Sequence, residues 1–167
     1  MNQSWAVSRI QNLIPLDGAA ILALNNANSE ETSVLDETGM EALLRDAFYA
    51  RGIEDGKTAF LVAFDHKAPY VNPNFNWFKE QRESFIYIDR VIVAQGSRGR
   101  GLGRKLYRDL FAAATQAGHD RVVCEVNINP PNLASEAFHA TMGFLSIGEA
   151  TIHNGRKTVR YFEKILE

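Results

Sequence analysis

The stretch Ser97-Arg98-Gly99-Arg100-Gly101-Leu102-Gly103 narrows the folds open to this chain more than any other. It separates an apolar run with strand character, Phe85 to Val93, from a helix-patterned run, Leu102 to Ala117. The helix stripe is Leu102, Leu106, Leu110, Ala113 and Ala117, and Gly118 ends it. Alternating glycines leave the backbone bare where the strand turns into the helix. The first N–H groups of a helix lack intrahelical partners, and the helix dipole adds positive potential there. Arg98, Arg100, Arg104, Lys105 and Arg108 add cationic charge. A phosphate-bearing ligand suits such a turn.

The remaining patterns build outward from this unit. Ala6 to Leu13 reads as an opening strand. A short helix begins at Pro15 and Asp17 and ends near Asn25, Asn26 and Asn28. Asp36-Glu37 starts a second helix with Met40, Leu43, Leu44, Ala47 and Phe48 on one face, closed by Gly52. Lys57 to Phe64 is rich in strand formers, and residues 65–84 read as a long aromatic loop carrying Tyr70, Phe75, Trp77 and Phe78. At least two of those rings are expected in the core; the others roof an acceptor site or form a dimer contact. Downstream come a strand, Arg121 to Val126, and a helix, Asn132 to Met142, with Asn132 as N-cap. A closing hairpin turns at His153-Asn154-Gly155. The sum is an α/β fold, a mixed central sheet flanked by helices, in a single domain over residues 1–167.

Charge and cysteine content remove several classes. The net charge is -2, which gives no bulk attraction to nucleic acid or anionic membrane. It is unevenly spread: residues 1–84 hold 7 basic against 12 acidic side chains, residues 85–167 hold 11 against 8. The single cysteine, Cys124, rules out an intramolecular disulfide and alternates with Val122 and Val126 as a buried thiol would. No apolar stretch approaches the ~20 residues needed to span a bilayer, and no leader pattern opens the chain, so a cytoplasmic setting is expected. His66, His119 and His153 show no metal-ligand spacing, so no metal is expected.

Several glycine loops compete for the central turn. A Walker loop ends Gly-Lys-Ser/Thr, whereas Gly103 is followed by Arg104, Lys105 and Leu106. A dinucleotide loop needs G-x-G-x-x-G and further βαβ units; here the spacing is G-x-G-x-G. A ligand-free tight turn leaves the clustered arginines unexplained. What remains, Arg98-x-x-Gly101-x-Gly103 placed five residues after Val93, resembles the coenzyme A pyrophosphate loop of the GNAT acetyltransferase superfamily. The run from Asn132 through His139 to Gly143-Phe144 resembles that superfamily's second signature, in which a Tyr follows the Asn by seven residues and Gly-Phe follows by eleven. The two signatures cover residues 85–145, about a third of the chain, in the right order. Tyr87 to Val93, Cys124 to Asn127 and Pro130 to Asn132 further resemble bacterial acetyltransferases of unassigned substrate.

The resemblance implies an acyl-CoA N-acyltransferase-like fold and acetyl-CoA as donor to a primary amine of a small molecule or peptide, with a homodimer possible. It implies that backbone of Val91, Ile92 and Val93 meets the pantetheine arm and thioester. Backbone donors aimed at a developing oxyanion contribute ~3 kcal/mol. Arg98, Gly99, Arg100, Gly101, Leu102, Gly103 and Arg104 would wrap the pyrophosphate, with Asn132 and Ser135 further along the cofactor. His139 stands where the family has Tyr and is open to a role as acid, base or bystander; Asn132, Ser135 and His139 share a helix face, while Ala134, Phe138 and Thr141 are expected to pack inward. Asp89 and Glu125 are the candidate bases. Asp89 shares the strand face of Val91 and Val93, and Glu125 is a charge in an apolar strand. An ion pair with Arg90 or another arginine explains either without catalysis. The competing function is a non-catalytic acyl-CoA sensor, which the Tyr-to-His departure keeps open.

Overall fold

The computed structural model describes residues 9–13, 18–28 and 32–167. Seven strands form a mixed sheet in the order β1-β2-β3-β4-β5-β7-β6. They are β1 (Ile10–Asn12), β2 (Tyr49–Ile53), β3 (Ala59–Asp65), β4 (Ile86–Val93), β5 (Arg121–Asn129), β6 (Leu145–Ile152) and β7 (Lys157–Ile165). The helices are α1 (Gly18–Asn26), α2 (Glu37–Asp46), α3 (Pro73–Gln81), α4 (Leu102–Gln116) and α5 (Leu133–Thr141). The α/β fold expected from the sequence is therefore present. No described helix is long and apolar enough to cross a membrane. The chain divides into two compact units, Met1–Val62 with Arg90–Tyr107, and Ala63–Asp89 with Arg108–Glu167.

In the first unit, α2 starts at Asp36, whose carboxylate accepts the Gly39 N–H at 2.7 Å. Met40, Leu43 and Leu44 are buried as the periodicity requires. The helix nevertheless stops at Asp46, and Ala47 is extended. Ala47 and Phe48 belong to the approach into β2, although their spacing fits the helix stripe. Gly52 is a strand residue rather than a helix stop: a Cβ there would lie 2.7 Å from the Ala59 carbonyl oxygen. The opening strand is described from Ile10, where it pairs with Ile53; Ala6 to Ser8 and the expected helix start at Pro15 and Asp17 lie outside the described residues.

In the second unit, the stretch read as an aromatic loop contains α3. Asn72 caps it by accepting the Asn74 and Phe75 N–H groups at 2.9 and 3.3 Å, and Pro73 occupies the first turn. Phe75 and Phe78 are fully buried, so the core share of the aromatic run is real. The signal was local, an Asn-Pro pair before apolar residues three apart. Short length and a crowd of aromatics hid it. Strands β5 and β7 pair antiparallel over nearly their whole length, and β6 pairs with β7 through the expected turn. His153 and Asn154 adopt φ of 54° and 56° in that turn, with Gly155 at 80°.

Candidate active site

The first unit contains the glycine turn. β4 runs out at Val93, and the Ala94 N–H donates to Thr58 O at 2.8 Å. A single 3-10 turn, Gln95–Ser97, then leads to Arg98. The Arg98 guanidinium reaches back to Val93 O at 3.3 Å and across to Asn28 Oδ1 at 3.0 Å, which fixes the mouth of the turn. Asn25 and Asn26 clamp the neighbouring backbone: Asn25 Nδ2 donates to Ser33 O, and Asn26 bonds both N–H and C=O of Leu35. The asparagine tract, read from the sequence only as a helix end, thus braces the loop. Asn25 Oδ1 also accepts from the buried Arg90 guanidinium at 2.8 Å, with Ser33 alongside.

Gly99 and Gly101 adopt φ of 81° and 75°, and nothing lies within 4 Å of a Cβ built on either. Their side-chain hydrogens therefore face open space, as a turn that admits a bulky ligand against bare backbone requires. Lys105 N–H makes the first α4 bond, to Gly101 O at 3.0 Å. The amides of Leu102, Gly103 and Arg104 precede it and have no helical carbonyl to bond. Arg100, Arg104 and Arg108 are exposed, while Leu102 and Leu106 anchor the helix in the core. Open positive-φ glycines, unpaired helix-start amides and exposed guanidinium groups fit a pyrophosphate. Val91 and Val93 are half-buried and Ile92 is buried.

The second unit gathers the ionisable groups. The parallel ladder of β4 with β5 pairs Ile86 with Val122 and Tyr87 with Val123. Just beyond it, Tyr87 O–H donates to Glu125 Oε1 at 2.9 Å, and Asn74 Nδ2 donates to the same oxygen at 3.0 Å. Tyr161 O–H in turn donates to Asn74 Oδ1 at 2.9 Å, orienting the amide. Tyr70 O–H donates to Asp89 Oδ1 through a short hydrogen bond. Phe75 and Phe78 pack beside Tyr87, and Trp77 stacks on Tyr161 at 4.0 Å. The sequence placed Asp89 and Glu125 among the candidates but missed Tyr87, Asn74 and Tyr161. Only chain separation of 38 to 87 residues closed by folding reveals them.

Glu125 is held by neutral donors rather than by an arginine among the described residues. The residue as a whole is half-buried, yet its Oε2 is shut off from solvent and has no hydrogen-bond partner. Desolvation pushes its pKa up to about 7; the Asp89 charge adds to the rise, and the Tyr87 and Asn74 hydrogen bonds oppose it. Burial raises the Tyr87 phenol well above its ordinary value and takes Tyr161 to about 12, so both stay protonated donors. Burial likewise raises the Cys124 thiol, which keeps it a packed thiol rather than a nucleophile.

His139 lies elsewhere. It is buried, 4% exposed, against Phe138, Phe144 and Phe162, while Ala134 and Thr141 face solvent and Phe138 is half-buried. The inward face of α5 is therefore the His139 face, the reverse of the sequence expectation. Its Nδ1 is 2.7 Å from Ser135 O; a carbonyl only accepts, so Nδ1 carries the proton and Nε2 is the acceptor of the neutral ring. Desolvation lowers its pKa, favouring that neutral ring. In the β5–β7 register Cys124 opposes Phe162 and Glu125 opposes Tyr161. Successive side chains alternate between faces. His139 against Phe162 and Glu125 beside Tyr161 thus occupy opposite faces of the sheet. Asn132 Oδ1 caps α5 through the Ser135 N–H at 3.2 Å, and Ser135 Oγ lies 3.3 Å from His139 Nδ1. A different cluster, Asp65, His66 and His119, comes together despite a spacing that gave no metal set.

Comparison with known proteins gives this geometry a context. A family described as "Acetyltransferase (GNAT) family" matches residues 23–144. Phosphinothricin N-acetyltransferase of Streptomyces coelicolor is 41% identical over 73 residues, a stretch that is 44% of this chain and only 41% of that relative. Among solved structures, ribosomal-protein-alanine N-acetyltransferase from Brucella melitensis is similar at a TM-score of 0.71 and 22% identity, over 95% of this chain and 99% of that one. A Salmonella typhimurium structure with its cofactor acetyl-CoA is similar at 0.69 and 20% identity, over 95% and 94%.

Proposed function

The chain belongs to the acetyltransferase (GNAT) family, and from that premise we propose that it transfers acetyl from acetyl-CoA directly to a primary amine of a small molecule or peptide. In this reading residues 1–167 work as one acetyltransferase domain. Acetyl-CoA, when bound, would supply an activated thioester, whose C–S bond breaks as the amide C–N bond forms, with CoA leaving as its thiol on taking up the proton the neutral amine loses. The amides opening α4, with Arg98, Arg100 and Arg104, bind its pyrophosphate, and the Val91–Val93 backbone meets its arm.

The acceptor arrives as an ammonium, because an unperturbed alkylamine has a pKa near 10.4. Asp89 offers negative charge to that cation. Glu125 takes the proton, while Tyr87 and Asn74 hold its Oε1 and so aim the carboxylate. A carboxyl group with a pKa about 7 is well matched to proton transfer near neutrality. His139 serves here in packing α5, since a neutral ring with its proton committed to Ser135 O has none to give from Nε2. The observation that carries the proposal is the Glu125 carboxylate, held on one oxygen and left unpartnered on the other.

The test is thiol release from acetyl-CoA against a panel of primary amines, run beside calorimetric CoA binding. Amine-dependent release supports transfer. CoA binding without release for any amine would replace it with the acyl-CoA sensor.

A further inference from the structure

A second cluster of ligand-type side chains lies at the start of β4 and β5, away from Glu125. Asp65 ends β3, and its Oδ1 accepts the Lys67 N–H at 2.8 Å, which shapes the turn carrying His66. The His66 backbone N–H is tied to Phe85 O at 3.1 Å. His119 follows Gly118, whose φ of 87° closes α4, and its own N–H bonds Ala114 O at 2.9 Å. Two backbone hydrogen bonds and the Asp65–Lys67 contact thus hold the segments that bring three ligand-type side chains together. His66 Nδ1 is 3.0 Å from Asp65 Oδ1, and His119 Nε2 is 3.2 Å from Asp65 Oδ2. All three ligand atoms lie within 4.8 Å of one another.

We propose that Asp65, His66 and His119 form a binding site for a divalent transition metal of the zinc class. Two imidazoles and a carboxylate are the donor set such ions take, with water completing the shell. Metal–ligand bonds of about 2.0–2.2 Å place neighbouring donors slightly farther apart than the 3.0 and 3.2 Å seen, so small side-chain adjustments suffice. His66 Nδ1 is buried and makes no hydrogen bond despite the nearby carboxylate, as a nitrogen turned toward a cation would be. On the far side of the other ring, Ser84 Oγ sits 3.4 Å from His119 Nδ1 and leaves Nε2 directed at the cluster. That is the supporting contact a ligating histidine uses to fix its orientation. A bound ion would fasten the end of β3 to the α4–β5 turn.

The experiment uses the full chain without an affinity tag, stripped with chelator. Zn²⁺ is titrated by calorimetry, and Co²⁺ by visible absorption. One equivalent should bind, raise the melting temperature, and give the intense d–d bands of a low-coordinate cobalt site. His66→Gln and His119→Gln should each weaken binding by at least about tenfold, and Ser84→Ala by less. X-ray absorption of the zinc-loaded wild type should show two imidazole ligands, a readout that needs no variant to fold. Absence of stoichiometric binding, binding indifferent to both histidine changes, or a spectrum without two imidazoles overturns the assignment.

Discussion

The glycine turn and the Glu125 cluster solve opposite problems with opposite means. The turn keeps its charges in water: Arg100 and Arg104 are exposed, and the glycines offer bare backbone. Attraction from those exposed charges is screened beyond about 10 Å at 0.1 M salt, so they act at contact distance, beside the bare backbone. The Glu125 cluster instead shuts one carboxylate oxygen off from solvent, and burial raises the pKa of the group. One region is tuned by conformation and the other by environment. Substitutions in the two should therefore fail in different ways.

Glu125→Gln gives the largest expected effect. Positioned proton transfer contributes about 10²–10⁴-fold, so kcat should fall by that order while acetyl-CoA affinity stays. In the wild type, activity should rise as pH passes through about 7, because the base works ionised, and the variant should lack that limb. A variant that keeps both turnover and the limb removes Glu125 from the chemistry. Gly101→Val should act the other way. A β-branched residue at φ 75° is strained by about 1–2 kcal/mol and fills the space over the bare amides. Because the side chain would stand between those amides and the ligand, the expected result is a KM for acetyl-CoA raised about tenfold, on the order of one lost hydrogen bond to a charged group, with a smaller change in kcat, read by steady-state kinetics.

A subtler contrast is in stability. Glu125 binds its proton more tightly folded than unfolded, so its contribution is full at low pH and is lost as pH rises from 4.5 through about 7. Melting temperature should drop across that window, and Glu125→Gln should flatten the drop; equal slopes in both proteins would show that the carboxylate is not desolvated. His139→Phe should do least to catalysis, with kcat within about threefold, since loss of a true acid costs about 10²-fold or more. A collapse of kcat with CoA affinity retained would return the acid role to His139.

The legible parts were those written over a few neighbouring residues. Asn132 as N-cap, the Leu102, Leu106 and Leu110 part of the α4 stripe, the His153-Asn154-Gly155 turn and the spacing of Arg98, Gly101 and Gly103 are short-range patterns, although past Leu110 the buried face passes through Ala114 while Ala113 is half-buried and Ala117 is exposed beyond the helix. Their physics involves one turn of backbone, so the chain states them directly. Even local patterns mislead where two of them overlap. Ala47 and Phe48 continue the α2 stripe yet lead into β2, and α3 hid within an aromatic run.

Local residue order was enough for the strand–glycine–helix unit, the family resemblance and a short roster of candidate acids. Tertiary structure decided which of them come together. Tyr87, Asn74 and Tyr161 reach the Glu125 group from distant positions, and the packing of His139 on Phe162, with the β5–β7 register, sets His139 and Glu125 on opposite faces. It also brought His119 to Asp65 and His66. Desolvation is the physical reason: the protonation of a carboxyl group depends on everything packed around it, which no local stretch of sequence encodes.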